Sequence, residues 1–145
     1  MPLAIIITGH GHFADGMKSA LELISGLQKD LHAVNFAEGD TPEALSEKLA
    51  KIVKLYDNNG VVIFSDIIGG APFRQAVLLT QNRANSEVVY GTTLQMLIEA
   101  VLERGDSDDA QQLVAQLLPT AREGIGSFGS HSKRPPPPNP TEEGL

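Results

Sequence analysis

The 145 residues include no cysteine, which excludes thiol catalysis, disulfide bridges and thiolate metal sites. Positive charge is also short: 11 Lys and Arg face 18 Asp and Glu, for a net charge of -7. The cations are scattered along the chain instead of clustered, which argues against a surface that neutralises nucleic-acid phosphates. No apolar stretch approaches the roughly 20 residues of a membrane span. Met1-Pro2 runs straight into an apolar segment without a basic, signal-like start. These absences predict a cytoplasmic protein whose partners are proteins or small molecules, with no nucleic acid among them. A chain of this length can form one domain and bury a single core without disulfides or metal.

What is present is an alternation of apolar runs and amphipathic segments. Leu3-Ala4-Ile5-Ile6-Ile7-Thr8 predicts a first strand leading into the turn Gly9-His10-Gly11. Over 15–27, Met17, Ala20, Leu21, Ile24 and Leu27 recur at helical spacing and predict a helix with that face inward. Leu31 to Phe36 is the second strand, and Thr41-Pro42 supplies an N-cap with proline at the first helical position. Leu45, Leu49, Ile52, Val53 and Tyr56 continue that second helix's buried stripe until Asn58-Asn59-Gly60 ends it. Val61-Val62-Ile63-Phe64 is a short continuous apolar run of the kind found in parallel strands covered on both faces.

Pro72 begins a third helix through Phe73, Ala76, Val77 and Thr80, followed by a strand at Val88 to Tyr90. A fourth helix carries Leu94, Leu97, Ile98, Val101 and Leu102. Asp108 or Asp109 starts a last helix with Leu113, Val114, Leu117 and Leu118 inward, which Pro119 should kink or end. Ile125 to Phe128 is read as a final short strand. From Gly129 the composition shifts to Ser, Gly, Lys and the run Pro135 to Pro138, predicting a flexible, extended tail over 129–145 outside a domain at 1–128.

Strand-helix alternation implies an α/β fold, a mostly parallel sheet with helices on both faces. Such sheets bind ligands beyond the C-terminal strand ends at the topological switch point. Two loops should meet there: residues 9–15 after the first strand and 66–73 after the third. The second reads Asp66-Ile67-Ile68-Gly69-Gly70-Ala71-Pro72-Phe73. With the first and third strands adjacent, Asp66 can accept a hydrogen bond from one ring nitrogen of His10 and leave the other nitrogen's lone pair free. No serine, threonine or lysine in either loop has an activating base. Phosphoryl transfer fits better, because it needs mainly in-line positioning and donors for the equatorial oxygens, which helix N-termini and glycine amides provide.

Other readings stand beside this one. His10 can cap a turn, and Asp66 can cap the helix at Pro72. Gly9-His10-Gly11-His12-Phe13-Ala14 formally matches the dinucleotide fingerprint G-x-G-x-x-G/A, but no ribose-binding acid ends the second strand, where Asn35-Phe36-Ala37 stands before Glu38. His10 and His12, with Asp15 or Asp66, could form a metal site, although the other histidines, His32 and His131, lie in a strand region and the tail. Arg74 follows Phe73 and could reach a phosphate or an acidic partner, although a solvated helix face is the better reading. Met17 and Met96 read as core.

His10 in T-G-H-G after strand one and Asp66 in D-I-I-G-G-A-P-F after strand three together resemble the enzyme IIA domain of the mannose family of the bacterial sugar phosphotransferase system. The resemblance covers about residues 1 to 128, including R-E-G-I from Arg122 to Ile125. It implies a five-stranded sheet of order 2-1-3-4-5 and a homodimer that exchanges a C-terminal antiparallel strand, here near Ile125 to Phe128. It further implies that His10 takes a phosphoryl group from the phosphocarrier protein HPr and passes it to a histidine of a cognate IIB protein, with Asp66 orienting the imidazole. Gly9, Gly11, Gly69, Gly70, Ala71, Pro72 and Phe73 would frame the phosphate and the partner. No metal or dissociable cofactor is implied, and the membrane enters only indirectly, through the IIC/IID permease.

Ala71 departs from members that carry serine there, so backbone amides must replace a hydroxyl contact. Ile67 and Ile68 add apolar bulk suited to a protein-docking rim. A free-standing subunit and a domain of a longer protein both fit the sequence. The phosphotransfer subunit of a dihydroxyacetone kinase is a related possibility, which the G-G-A-P-F loop disfavours.

Overall fold

A computed structural model describes residues 3–129. Four strands, β1 (Ala4–His10), β2 (Leu31–Phe36), β3 (Val61–Ser65) and β4 (Ser86–Val89), form one sheet of order β2-β1-β3-β4. All three pairings are parallel. Among the described residues the α-helices are α1 (Phe13–Ser25), α2 (Pro42–Lys54), α3 (Ala71–Thr80), α4 (Leu94–Glu103) and α5 (Ala110–Glu123).

The period-2 geometry of a strand sends alternate residues to opposite faces. Ile5 and Ile7 of β1 therefore join Val62 and Phe64 under α1, α4 and α5, while Ala4 and Ile6 join Val61 and Ile63 under α2 and α3. β1 over residues 4–7 and β3 over residues 61–64 are apolar at every position because both of their faces are covered. Ile5, Ile6, Ile7 and Phe64 are completely buried, each such side chain being worth about 1.5–3 kcal/mol relative to exposure. Thr8 and Ser65 are polar but buried, and their hydroxyls donate to the Val34 and Val89 carbonyls at 2.9 and 3.1 Å.

Local capping follows the sequence. The Thr41 hydroxyl accepts from the Ala44 N–H at 3.0 Å, with Pro42 opening α2, and Asp109 caps α5 by accepting from the Gln112 N–H at 3.1 Å. Met96 is core and Met17 packs against it half-buried.

Four expectations are corrected. His10 is the last residue of β1 rather than a turn residue, paired in register with Phe36. Ile24 and Leu27 do not complete the inward face of α1: Ile24 is exposed on its last turn, and Gly26, with φ +81, ends the helix at Ser25 before the exposed Leu27. Leu102 is likewise exposed near the end of α4. Pro119 does not end α5, which runs on to Glu123. Pro119 and Ala115, whose carbonyl loses the i–4 bond, are both on the exposed side, where water can satisfy that oxygen.

The fifth strand is missing among the described residues. Residues 125–127 carry no regular structure, and Ile125 and Phe128 are exposed. A strand needs a neighbour to satisfy its backbone, and the Ile125 N–H instead turns back to the Arg122 carbonyl. The tail beyond Gly129 lies outside the described residues.

Candidate functional site

The order β2-β1-β3-β4 puts the switch point between β1 and β3. Thr8 pairs with Ser65, so His10 and Asp66 come together just beyond the last pairing of the two strands. One carboxylate oxygen, Oδ2 of Asp66, accepts two hydrogen bonds at 2.8 Å, one from the His10 backbone N–H and one from His10 Nδ1. The other oxygen, Oδ1, accepts from the Ile67 N–H at 2.8 Å. Asp66 therefore does not cap α3. Burial pushes its carboxyl up, but the hydrogen bonds from the His10 N–H, the His10 ring and the Ile67 N–H prevail and hold it below its ordinary value.

That geometry assigns the proton on the ring. An ionised carboxylate can only accept, so Nδ1 is the protonated nitrogen and Nε2 carries the lone pair. The imidazole is 46% exposed against 12% for the Asp66 side chain, which leaves Nε2 reachable while its orienter is covered. Phe36 meets the ring edge-on, with centroids 5.9 Å apart and planes at 77°.

The glycines do more than expose backbone. A Cβ on Gly70 would lie 2.6 Å from His10 Cε1 and 3.2 Å from Nε2, so only glycine lets the ring rest against the start of α3. A Cβ on Gly9 would lie 2.6 Å from the Phe13 ring and 3.0 Å from Asp66 Cγ. Gly11 and Gly69 adopt φ of +59 and +86, where side chains are strained. α3 begins at Ala71 behind the N-cap Gly70, with no side-chain cap and with Pro72 in its first turn. Its leading N–H groups and positive dipole end are thus open to an anion beside His10 Nε2.

Phe73 stands edge-on to Tyr90 at 5.7 Å, and Ile67 and Ile68 are 58% and 59% exposed on the rim. Behind the site, the Asp66 carbonyl accepts from the Gly91 N–H at 2.8 Å and the Ser65 carbonyl from the Thr92 hydroxyl at 2.6 Å. Sequence reasoning missed Phe36 and Thr92 as supports. The register of β2 against β1 identifies Phe36, whereas Thr92 carried no sequence signal.

His12 turns away from this cluster to the N-cap position of α1. Asn35 Oδ1 accepts from the Asp15 N–H at 3.1 Å, which makes Asn35 Nδ2 the donor to Asp15 Oδ2 and to His12 Nδ1, at 2.7 and 3.2 Å. An amide thus occupies His12 and Asp15, two of the groups on which the metal reading drew. Among the described residues no group of three or more His, Cys, Asp or Glu is placed to hold a metal ion. The dinucleotide reading fails at Gly9, whose open face is filled by Phe13 and Asp66.

Proteins similar to this chain are components of one transport system. The family model described as the PTS system fructose IIA component matches residues 4–118. The chain is 33% identical over 126 residues to the mannose-specific EIIAB component of Escherichia coli (strain K12), covering 86% of this chain but 39% of that protein. It spans, then, about two fifths of the length of that relative. It is 27% identical to the sorbose-specific EIIA component of Lacticaseibacillus casei, over 80% of this chain and 83% of that one. The crystal structure of phosphotransferase system component EIIA from Streptococcus agalactiae superposes with a TM-score of 0.83 at 33% identity, covering 88% of this chain and 98% of that one. No described helix is long and apolar enough to cross a membrane. With His10 and Asp66 paired at the switch point of this sheet, the chain belongs to the fructose and mannose family of enzyme IIA components of the sugar phosphotransferase system.

Proposed function

We propose that the chain is a phosphoryl relay working in the cytoplasm. His10 accepts a phosphoryl group from phosphohistidine on HPr and passes it to a histidine of a cognate IIB protein. The observation that carries this reading is the 2.8 Å bond between His10 Nδ1 and Asp66 Oδ2, which leaves Nε2 as the nucleophile beside the open start of α3. The Nε2 lone pair forms the new N–P bond as the donor's P–N bond breaks, and the donor nitrogen keeps that bond's electron pair. Nδ1–H stays in place, so the phosphorylated ring bears positive charge that the Asp66 carboxylate offsets. Reversing these steps onto IIB restores the neutral imidazole.

Donor and acceptor are both phosphohistidines, so the site must hold the group in line without trapping it. A helix terminus contributing about 0.3–1 kcal/mol suits that task. The apolar rim of Ile67 and Ile68 suits protein substrates. The sugar never meets this subunit, which reaches the membrane only through the IIC/IID permease.

A homodimer completes the reading. Among the described residues β4 pairs on one side only, and beside it runs a groove of about 360 Å³ lined by Val89, Tyr90, Met96, Val114, Leu118 and Ile125, among others. Residues 125–128 of a second copy, laid antiparallel along β4, would pair that edge and cover Ile125 and Phe128. Sedimentation should then give a dimer that the double substitution Ile125→Asp, Phe128→Asp converts to monomer; a wild-type monomer at micromolar concentration would overturn it.

Incubation with phosphoenolpyruvate, enzyme I and HPr should place an acid-labile, base-stable label on His10. His10→Ala should remove all of it without loss of fold. Label persisting in that variant, or none in wild type when a control IIA is phosphorylated, would overturn the relay.

A further inference from the structure

Arg74 stands on the first turn of α3, and its Nη2 donates to the Gly69 carbonyl at 2.9 Å. The next residue, Gly70, is the one against which the His10 ring rests, 3.2 Å from Nε2 to the place a Cβ would occupy. Guanidinium and nucleophile thus meet on one dipeptide. Within the segments that frame the C-terminal end of the sheet, 9–15, 35–45, 66–74 and 90–96, Arg74 is the single Lys or Arg.

Two other described arginines at the sheet are engaged elsewhere, and Arg122 stands on α5 in the groove beside β4. Arg83 donates to the Tyr56 and Asn59 carbonyls and to the Ser86 hydroxyl, and Arg104 donates to three backbone carbonyls. Arg74 is exposed and makes no ion pair among the described residues, where the pairs are His10–Asp66 and Lys48–Asp40. A guanidinium carries five N–H donors in a planar fork, and the bond to Gly69 uses one of them.

The acceptor side has a matching need. A phosphoryl group on His10 Nε2 brings close to two negative charges and three oxygens to the start of α3. The first turn there offers the N–H groups of Ala71 and Phe73, because Pro72 has none and the N–H of Arg74 is taken by the Gly70 carbonyl. Ala71 adds no hydroxyl. These donors are neutral, and Arg74 is the one Lys or Arg in the segments that frame them.

We infer that Arg74 is a phosphoryl-binding residue: its guanidinium leaves the Gly69 carbonyl and hydrogen-bonds the oxygens of the group carried on His10, fixing them for in-line transfer. No proton moves, and the N–P bond forms and breaks as already described. The inference deepens the relay reading and rests on His10 being the carrier. Charge-assisted bonds of this kind, made in a half-exposed site, are worth about a factor of ten in rate. Lysine keeps the charge but not the fork, so it should recover only part of the effect.

The test uses wild type, R74A and R74K, each phosphorylated by two routes, HPr and the small-molecule donor phosphoramidate. Because the side chain is exposed, the melting temperatures should agree. R74A should accept phosphate from HPr about tenfold more slowly, hydrolyse its phosphohistidine at a different rate and show a displaced phosphorus NMR resonance, with R74K between. Resonances and rates within twofold of wild type would overturn the role of Arg74 while leaving the relay standing. Label from phosphoramidate but not from HPr would overturn the donor and leave Arg74 to be judged by the resonance. Failure of wild-type His10 to take a phosphoryl group from either source would overturn both.

Discussion

The two ends of the sheet each hold a histidine and an aspartate, and they use them in opposite ways. At the N-terminal end, the Tyr56 hydroxyl donates to Asp30 Oδ1 at 3.0 Å, so it must accept from His32 Nε2 at 2.6 Å. Arg104, 7% exposed, ties the Leu3, Lys29 and Asp30 carbonyls together and holds the start of β1 against the turn before β2. The Tyr56 hydroxyl and the Arg104 guanidinium there are engaged with other parts of the chain. At the C-terminal end Asp66 is committed to three N–H donors, yet His10 keeps one nitrogen uncommitted and half-exposed. The same residue types tie segments together at one end and, at the other, present a half-exposed nitrogen beside the open start of a helix.

The sharpest way to break this contrast is at Asp66. Asp66→Asn removes the charge that offsets a phosphorylated ring and permits the other ring orientation. Phosphoryl acceptance should fall about 100-fold or more, with the melting temperature little changed. A loss below threefold would mean that Asp66 only shapes the loop.

Arg104→Met should do the reverse. Losing a buried cation with several carbonyl partners costs about 3 kcal/mol of stability in urea titration, while the folded fraction still accepts phosphate at the wild-type rate. A cost under about 1 kcal/mol would show that water replaces the guanidinium.

A smaller effect is expected at Gly70. Its φ of -80 suits alanine, so Gly70→Ala introduces no backbone strain, but the new methyl would sit 2.6 Å from His10 Cε1. The ring must tilt away from Asp66, and acceptance should drop about tenfold with a stability change within about 1 kcal/mol. An unchanged nitrogen NMR signature for His10 would contradict the contact.

The smallest effect concerns pH. Burial, then repulsion from Lys18, lowers the pKa of His32 against the attraction of Asp30. The folded chain therefore binds this proton less readily than the unfolded chain. The stabilisation is present above the ordinary value of 6.5 and is lost as pH falls below it. Urea midpoints measured on either side of that value should show a dependence that His32→Gln reduces; equal slopes in both proteins would rule His32 out as its source.

Much of the scaffold was legible because its signals are local. Thr41-Pro42 and Asp109 name their helices within one turn, and the apolar runs of β1 and β3 announce strands covered on both faces. The pairing of His10 with Asp66, 56 residues apart, was legible too, because strand-helix alternation makes those loops neighbours. The termini of the pattern were less so. Gly26 cut α1 before Leu27, exposure let Pro119 remain inside α5, and Ile125 to Phe128 found no strand partner among the described residues of one chain.

The sequence by itself determined where the paired strands and α-helices of the described residues lie to within a few residues, and which two loops converge. Periodicity and capping depend on residues a few positions apart. Only the tertiary structure decided which nitrogen of His10 is free, that Phe36 and Gly70 bracket the ring, and that Arg74 rests one residue away. Those outcomes depend on hydrogen bonds and close contacts between distant segments, whose geometry exists only after the sheet has assembled.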